Sequence, residues 1–276
     1  MKLLLLPGDG IGPEIADAVE RVLEGLERSS PIGLEVERAL IGLESLRVDG
    51  TTLSETTFGR ASAADGVILG PVSTADYPPP AQGGLNPSAE FRRRLDLYAN
   101  IRPSRTRPGL RSLAASMDLV IVRENTEGFY ADRTMHLGPG EFMPTPDLAI
   151  AMRKITRQGS ERIGRAAAAV AAGRRGRLTI VTKSNVLKVS DGLFRNAVQA
   201  AARDQAGLEI DEVLVDAMAS LLVREPERFD VIVTSNMFGD ILSNLAAELA
   251  GGLGVAGSLN AGDHCAIAQA SHGSAP

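Results

Sequence analysis

The chain of 276 residues carries a net charge of −5, with 44% apolar and 23% charged residues, the profile of an ordinary folded protein long enough for two domains. The acid excess argues against a nucleic-acid surface, which needs a basic stripe, and no apolar run reaches the ~20 residues of a membrane-spanning helix. A single cysteine, Cys265, excludes an internal disulfide and fits a reducing, cytoplasmic setting; its thiol reads as a passive small side chain.

The Leu run at 3–6 is ended by Pro7-Gly8 and lacks a small-residue cleavage site, so it reads as a buried strand and not as a signal peptide. It runs into P-G-D-G-I-G-P-E-I at 7–15, where Gly8, Gly10 and Gly12 allow a tight turn. Pro13-Glu14 suits the first turn of a helix with apolar residues at Ile15, Val19, Val22 and Leu23. Such a turn can bring backbone N–H groups up to a phosphate or ribose, although it is not G-x-G-x-x-G and a glycine cluster is more often only a turn. A second strand, 66–69, ends at Gly70-Pro71. Residues 71–90 are rich in Pro, Gly, Ser and Asn and read as a long surface loop without a packed element, of the kind that often carries function. They lead into F-R-R-R-L-D-L-Y-A-N-I-R-P at 91–103, where Arg92 and Arg102 flank an apolar helical stripe through Leu95 and Tyr98. Arginine is the side chain whose planar fork best matches a carboxylate.

Strand 119–122 delivers R-E-N-T-E-G-F-Y at 123–130, a charged run at a strand end, where α/β proteins place chemistry. Residues 133–148 are rich in Gly and Pro and suggest a protruding arm or hairpin. An alanine-rich helix from Ser160 to about Ala172 stops at Gly173-Arg-Arg-Gly176. Strand 178–182 carries Lys183-Ser-Asn185, a helix follows around 194–202, and strand 210–215 ends at Asp216. The stretch 229–254 organises the rest: a β-branched run at 231–234, helical periodicity through Met237, Ile241, Leu242, Leu245 and Leu249, and a stop at Gly251-Gly252. Asp240 and Asn244, four apart, share one face of this helix and can hold a hard cation such as Mg²⁺ or Mn²⁺ through oxygen. An acid in a helix's first turn is also common simply for its interaction with the macrodipole.

Singly, Arg92, Arg102, Arg123, Tyr130, Lys183, Asp216 and Asp240 read as surface charges or caps. As a set, three guanidinium groups can bind a di- or tricarboxylate, and two aspartates can hold a cation that chelates an α-hydroxy acid. A lysine and a tyrosine can move protons.

P-G-D-G-I-G-P-E-I, R-R-L-D-L-Y-A-N-I-R-P, V-R-E-N-T-E-G-F-Y, T-K-S-N-V-L-K, F-D-V-I-V-T-S-N-M-F-G-D-I-L-S and H-G-S-A-P occur in this order. In these motifs, which span nearly the whole chain, it resembles the isocitrate/3-isopropylmalate dehydrogenase family of NAD(P)- and metal-dependent β-decarboxylating dehydrogenases. The resemblance implies an α/β, isopropylmalate-dehydrogenase-like two-domain fold, with a large mixed sheet of ten strands flanked by helices and not a Rossmann fold. Residues 1–99 plus 251–276 would form the larger, cofactor domain, and 100–250 a smaller dimerisation domain. It further implies that Arg92, Arg102 and Arg123 hold the malate carboxylates, with Asn86 and Ser88 facing the substituent. Lys183 would take the C2 hydroxyl proton and Tyr130 would help protonate the enol. Asp216, Asp240 and Asn244 would hold Mg²⁺ or Mn²⁺. Ile11, Thr74, Asn185, His272, Gly273, Ser274 and Ala275 would bind NAD or NADP. Lys183 and Asp216 would serve the partner's site in a homodimer.

Three departures from the family pattern bear on function. Asn244 stands where many relatives have a third aspartate, which removes one formal charge from the metal site. The chain stops at His272-Gly-Ser-Ala-Pro276, inside the adenosine-binding loop; a truncated gene is the expectation, with apolar surface left uncovered where closing helices normally pack. The specificity loop reads G-L-N-P-S-A-E-F-R at 84–92, with polar Asn86 and Ser88 where an isopropyl pocket would present leucines. Isocitrate or homoisocitrate is therefore the expected substrate, with 3-isopropylmalate the alternative and tartrate or another substituted malate open. A non-catalytic or regulatory subunit is the competing class. Asn244 and the early stop favour it, and the intact arginines with Lys183 and Tyr130 oppose it.

Overall fold

A computed structural model describes residues 1–130, 135 and 137–275. Among them twelve strands and eight α-helices fall into two compact units, Met1–Leu97 with Gly257–Pro276, and Tyr98–Ala256. The first unit holds five strands and the second seven, two of them a separate hairpin, and both combine parallel and antiparallel pairs, in keeping with the α/β class and the mixed sheet expected. No described helix is long and apolar enough to cross a membrane.

In the first unit Lys2–Leu6 (β1) lies parallel to Glu35–Arg38 (β2) on one side and to Gly66–Leu69 (β3) on the other. Gly12–Ser29 (α1), Gly42–Asp49 (α2) and Glu55–Ala63 (α3) connect them, and Pro87–Arg94 (α4) follows. The C-terminal stretch returns as an antiparallel hairpin, Gly257–Ala261 and Ala266–Ala270, numbered β11 and β12 in chain order, and β12 runs parallel to β3. Leu4, Leu6, Val67, Leu69 and Ile267 pack with Ile41, Leu53 and Phe91; each such buried side chain contributes about 1.5–3 kcal/mol.

Along α1, Gly12 and Ala16 are buried, Ile15, Val19 and Leu23 are half-buried and Val22 is 70% exposed. The helix seats on its small residues because a Cβ at Gly12 would stand 2.1 Å from the Pro7 carbonyl oxygen. Residues 71–90 are packed and not a free loop. Short 3₁₀ turns form at Thr74–Asp76 and Pro80–Gln82, α4 begins at Pro87, and the Gly83 and Leu85 carbonyls accept from Thr52. Finally, no helix runs through Tyr98. Asp96 takes a left-handed φ of 47° and the Leu97 N–H reaches back to the Arg92 carbonyl at 2.9 Å, the six-to-one bond that ends a helix.

The second unit contains Ala99–Arg105 (β4), Asp118–Glu124 (β5), the hairpin Glu141–Thr145 (β6) and Leu148–Ala151 (β7), and Arg157–Ala172 (α5). It continues with Arg177–Thr182 (β8), Ser190–Arg203 (α6), Glu209–Leu214 (β9), Val215–Arg224 (α7), Val231–Thr234 (β10) and Asn236–Ala250 (α8). The strand order is β4-β5-β10-β8-β9, antiparallel only between β4 and β5. The central strands are uniformly apolar because helices cover both faces. Alternation sorts their side chains: Val120, Val122, Val231 and Val233 face a core with α5 and α6, while Leu119, Ile121 and Ile232 face one with α7 and α8. Residues 133, 134 and 136 of the expected hairpin lie outside the described residues; β6 and β7 form its remainder.

One reading needs correction here: residue 215 does not continue a strand. Extended Leu214 precedes α7, which buries Met218 and Leu222, so Asp216 lies in a helix's first turn. In α8, Leu242 and Leu249 are buried but Ile241 is 59% exposed, since it points to the side away from the sheet.

Candidate active site

Strand parity places the two central arginines. Arg123, two residues beyond Ile121 on β5, shares the face that α8 covers. In the β4/β5 register Asn100 stands opposite Arg123 and Arg102 opposite Ile121, so both face α8 as well. Arg102 and Arg123 are 8% and 3% exposed, charged groups held where the apolar core gives way to polar side chains.

Helix α8 supplies their partners on one stripe, at spacings of three and four residues: Asn236, Asp240, Ser243 and Asn244. The Arg123 Nε and one terminal nitrogen donate to Asn236 Oδ1 at 3.0 and 2.7 Å, and its other terminal nitrogen pairs with Asp240. Arg102 donates through Nε to Asn100 Oδ1 at 2.5 Å. One of its terminal nitrogens donates to Ser243 Oγ at 2.8 Å and stands 3.4 and 3.5 Å from the Asp240 and Asn244 side-chain oxygens. The helix approaches this closely because residue 239 is glycine: a Cβ there would stand 2.6 Å from Arg123 Cγ. Tyr130 lies beside the pair, its ring centroid 5.9 Å from the Arg123 guanidinium.

Burial pulls the Arg102 pKa down to about 10, the Arg123 charge adding to the effect and Asp240 opposing it. Two guanidiniums thus gather beside Asp240, and their planar forks are suited to a carboxylate ligand. Asp240 and Asn244 also converge on a single cationic nitrogen, so their oxygens already address a positive charge; as hard donors they fit a divalent cation.

Lys183 follows β8 and Asp216 opens α7; Lys183 Nζ meets Asp216 Oδ1 at 2.6 Å. That hydrogen bond holds the Asp216 carboxyl below the usual range, so it is ionised. The Lys183 backbone N–H donates to buried Asp191 at 2.5 Å, and Asp191 pairs with Arg153. Neither Lys183 nor Asp216 bonds to Arg102, Arg123, Asp240 or Asn244, and among the described residues no three His, Cys, Asp or Glu side chains gather as a metal site. Exposed Asn185 lies in the turn after Lys183.

In the first unit the glycine-rich turn is stitched to the C-terminal segment. The Ile11 N–H donates to the Ser274 carbonyl at 2.9 Å, Ser73 Oγ donates to Ser274 Oγ at 2.6 Å, and a Cβ at Gly10 would stand 2.2 Å from that carbonyl oxygen. The Asp9 and Gly12 N–H groups are also spent, on Pro71 and Asp9 carbonyls, so this turn is no open phosphate cradle. Ile11, Ser274 and the exposed Thr74 beside Ser73 are thus brought together, with His272, Gly273 and Ala275 flanking Ser274. Arg92 projects from α4. Asn86 caps that helix by accepting from the Ala89 N–H at 3.1 Å and is exposed, whereas Ser88 is buried and donates to Gln269 at 3.0 Å. Sequence reasoning missed Asn100, Asn236, Gly239 and Ser243; the helical spacing around Asp240 was the signal for Asn236 and Ser243.

A family model described as isocitrate/isopropylmalate dehydrogenase matches residues 2–276. The chain is 42% identical to the isocitrate/homoisocitrate dehydrogenase of Thermus thermophilus over 276 residues, all of this chain and 78% of the relative. It is 36% identical to the 3-isopropylmalate dehydrogenase of Saccharolobus solfataricus, over 99% of this chain and 76% of that one. The crystal structure of isocitrate dehydrogenase from Methylococcus capsulatus matches with a TM-score of 0.86 at 38% identity, covering all of this chain and 78% of that one.

Proposed function

The chain belongs to the isocitrate/isopropylmalate dehydrogenase family, and from its site we propose that it oxidatively decarboxylates a 3-substituted (2R)-malate, with isocitrate or homoisocitrate favoured. As a member of that family it is a decarboxylating hydroxy-acid dehydrogenase. The observation that carries the proposal is the pair of buried guanidiniums, Arg102 and Arg123, gathered beside Asp240 on α8. Arg102 and Arg123 grip the malate carboxylates. Mg²⁺ or Mn²⁺, when bound by Asp240, Asn244 and the partner's Asp216, supplies Lewis-acid polarisation at C2. NAD or NADP, when bound, would supply the acceptor for the C2 hydride. The partner's Lys183 takes the proton of the C2 hydroxyl, and after CO₂ leaves C3 Tyr130 delivers a proton to that carbon.

The homodimer belongs to this proposal. Within one chain Lys183 and Asp216 bond to each other and not to the arginine cluster, which supports their serving a neighbouring subunit's site. The exposed amide of Asn86 supports a polar substituent on the substrate, and the Thermus relative's name agrees. The Saccharolobus relative favours the second reading, 3-isopropylmalate. Calorimetric titration of both acids, with and without Mn²⁺, separates the two. Mn²⁺-dependent binding that prefers isocitrate is expected. Preference for 3-isopropylmalate would overturn the substrate assignment, and binding of neither by folded protein would overturn the site.

A further inference from the structure

We propose, on the reading of Arg123 as a carboxylate ligand, that Asn236 is the residue that positions its guanidinium. Asn236 is 1% exposed and opens α8. Its Oδ1 accepts from two Arg123 nitrogens, at 3.0 and 2.7 Å, and so takes one whole edge of the planar fork. Its Nδ2 donates to the Glu127 carbonyl at 3.1 Å, which fixes the amide's orientation and leaves only oxygen to face the arginine. The Glu127 carbonyl is itself held. The Glu127 side chain accepts from the Thr156 N–H and hydroxyl at 2.8 and 2.6 Å, and its N–H donates to buried Glu124 at 2.8 Å. A Cβ on neighbouring Gly128 would stand 3.2 Å from Asn236 Cβ, so glycine is what lets this backbone come close to the asparagine.

With one edge of the fork fixed by a neutral acceptor, the remaining terminal nitrogen is aimed along α8 at Asp240, where the ligand is to bind. An aspartate at 236 could still accept from Arg123 but could not donate to the Glu127 carbonyl, and it would set a second negative charge against the guanidinium. This accounts for an amide, and not an acid, against a buried arginine.

The test is Mn²⁺-dependent calorimetric binding of whichever acid the wild-type chain binds, to Asn236→Ala, Arg123→Lys and the double variant, with thermal melting of each. Arg123→Lys should weaken binding, because an ammonium cannot reproduce the fork. Asn236→Ala should weaken it about three- to tenfold, the scale of freezing one long side chain on binding. In the Arg123→Lys background the same substitution should cost less than about twofold, because the two residues act as one unit. Should Asn236→Ala fail to fold, Asn236→Ser, too short to span the fork, serves in the same cycle. Wild-type affinity in Arg123→Lys would overturn the reading of Arg123 itself. Weakened Arg123→Lys with an unaffected Asn236 variant would overturn the positioning role alone, as would equal losses in both backgrounds.

Discussion

Gly239→Ala tests whether the close approach of α8 to β5 builds the site. In a helix interior, replacing Gly by Ala normally stabilises by about 1 kcal/mol. Here the added Cβ would stand 2.6 Å from Arg123 Cγ and 2.7 Å from its Cβ, neither of them the flexible end of the side chain. Relief to an ordinary contact of ~3.5–4.0 Å requires a shift of roughly 1 Å between helix and strand. Overpacking of this kind costs about 1–3 kcal/mol, and the shift also weakens the Arg123 bonds to Asn236 and Asp240, each charged hydrogen bond being worth about 1.5–3 kcal/mol. Against the propensity gain, a net loss of about 2 kcal/mol is expected, or about 4–8 °C in melting temperature. Gly59→Ala is the control: Gly59 lies within α3, and nothing stands within 4 Å of its added Cβ. That substitution should raise the melting temperature by about 2–4 °C. Calorimetric melts of the two variants decide the matter; a Gly239→Ala protein that melts at or above wild type would refute the reasoning.

Lys183→Ala should abolish turnover while Mn²⁺-dependent substrate binding persists, because the amine moves a proton whereas the arginines hold the ligand; normal turnover would remove Lys183 from the role of base. Asn244→Asp adds a formal charge to the face that addresses the cation and should tighten Mn²⁺ about tenfold in calorimetric titration, since ligand charge sets affinity at oxygen sites. Unchanged Mn²⁺ affinity would mean that Asn244 does not face the metal.

The competing class, a non-catalytic subunit, loses ground to the geometry. Asn100, Asn236 and Ser243 hold the two buried guanidiniums in place, an ordered arrangement suited to a carboxylate ligand. In the H-G-S-A-P motif Ser274 is tied to the glycine-rich turn by the Ile11 N–H and to Ser73 by its hydroxyl.

The sequence by itself determined the elements whose signal is local. The apolar runs of β1, β3, β5, β8 and β10 and the periodicity and glycine stop of α8 all appear where composition and spacing put them, and six ordered motifs were enough to identify the family. It also determined that Asp240 and Asn244 share a helix face, because residues four apart must. Where two local patterns competed, it misled. Leu95 and Tyr98 suit a helix by spacing, yet the left-handed turn at Asp96 ends α4 and Arg102 becomes a strand residue. The α7 stripe at Met218 and Leu222 was hidden behind the strand that precedes it. Only the tertiary structure decided the rest. Arg102 and Arg123 meet on one face through the β4/β5 register, and Asn236 meets Arg123 because α8 crosses β5 at a glycine. Contacts between residues 20 to 140 positions apart depend on register and helix approach, quantities set by the packing of whole elements and absent from any local window.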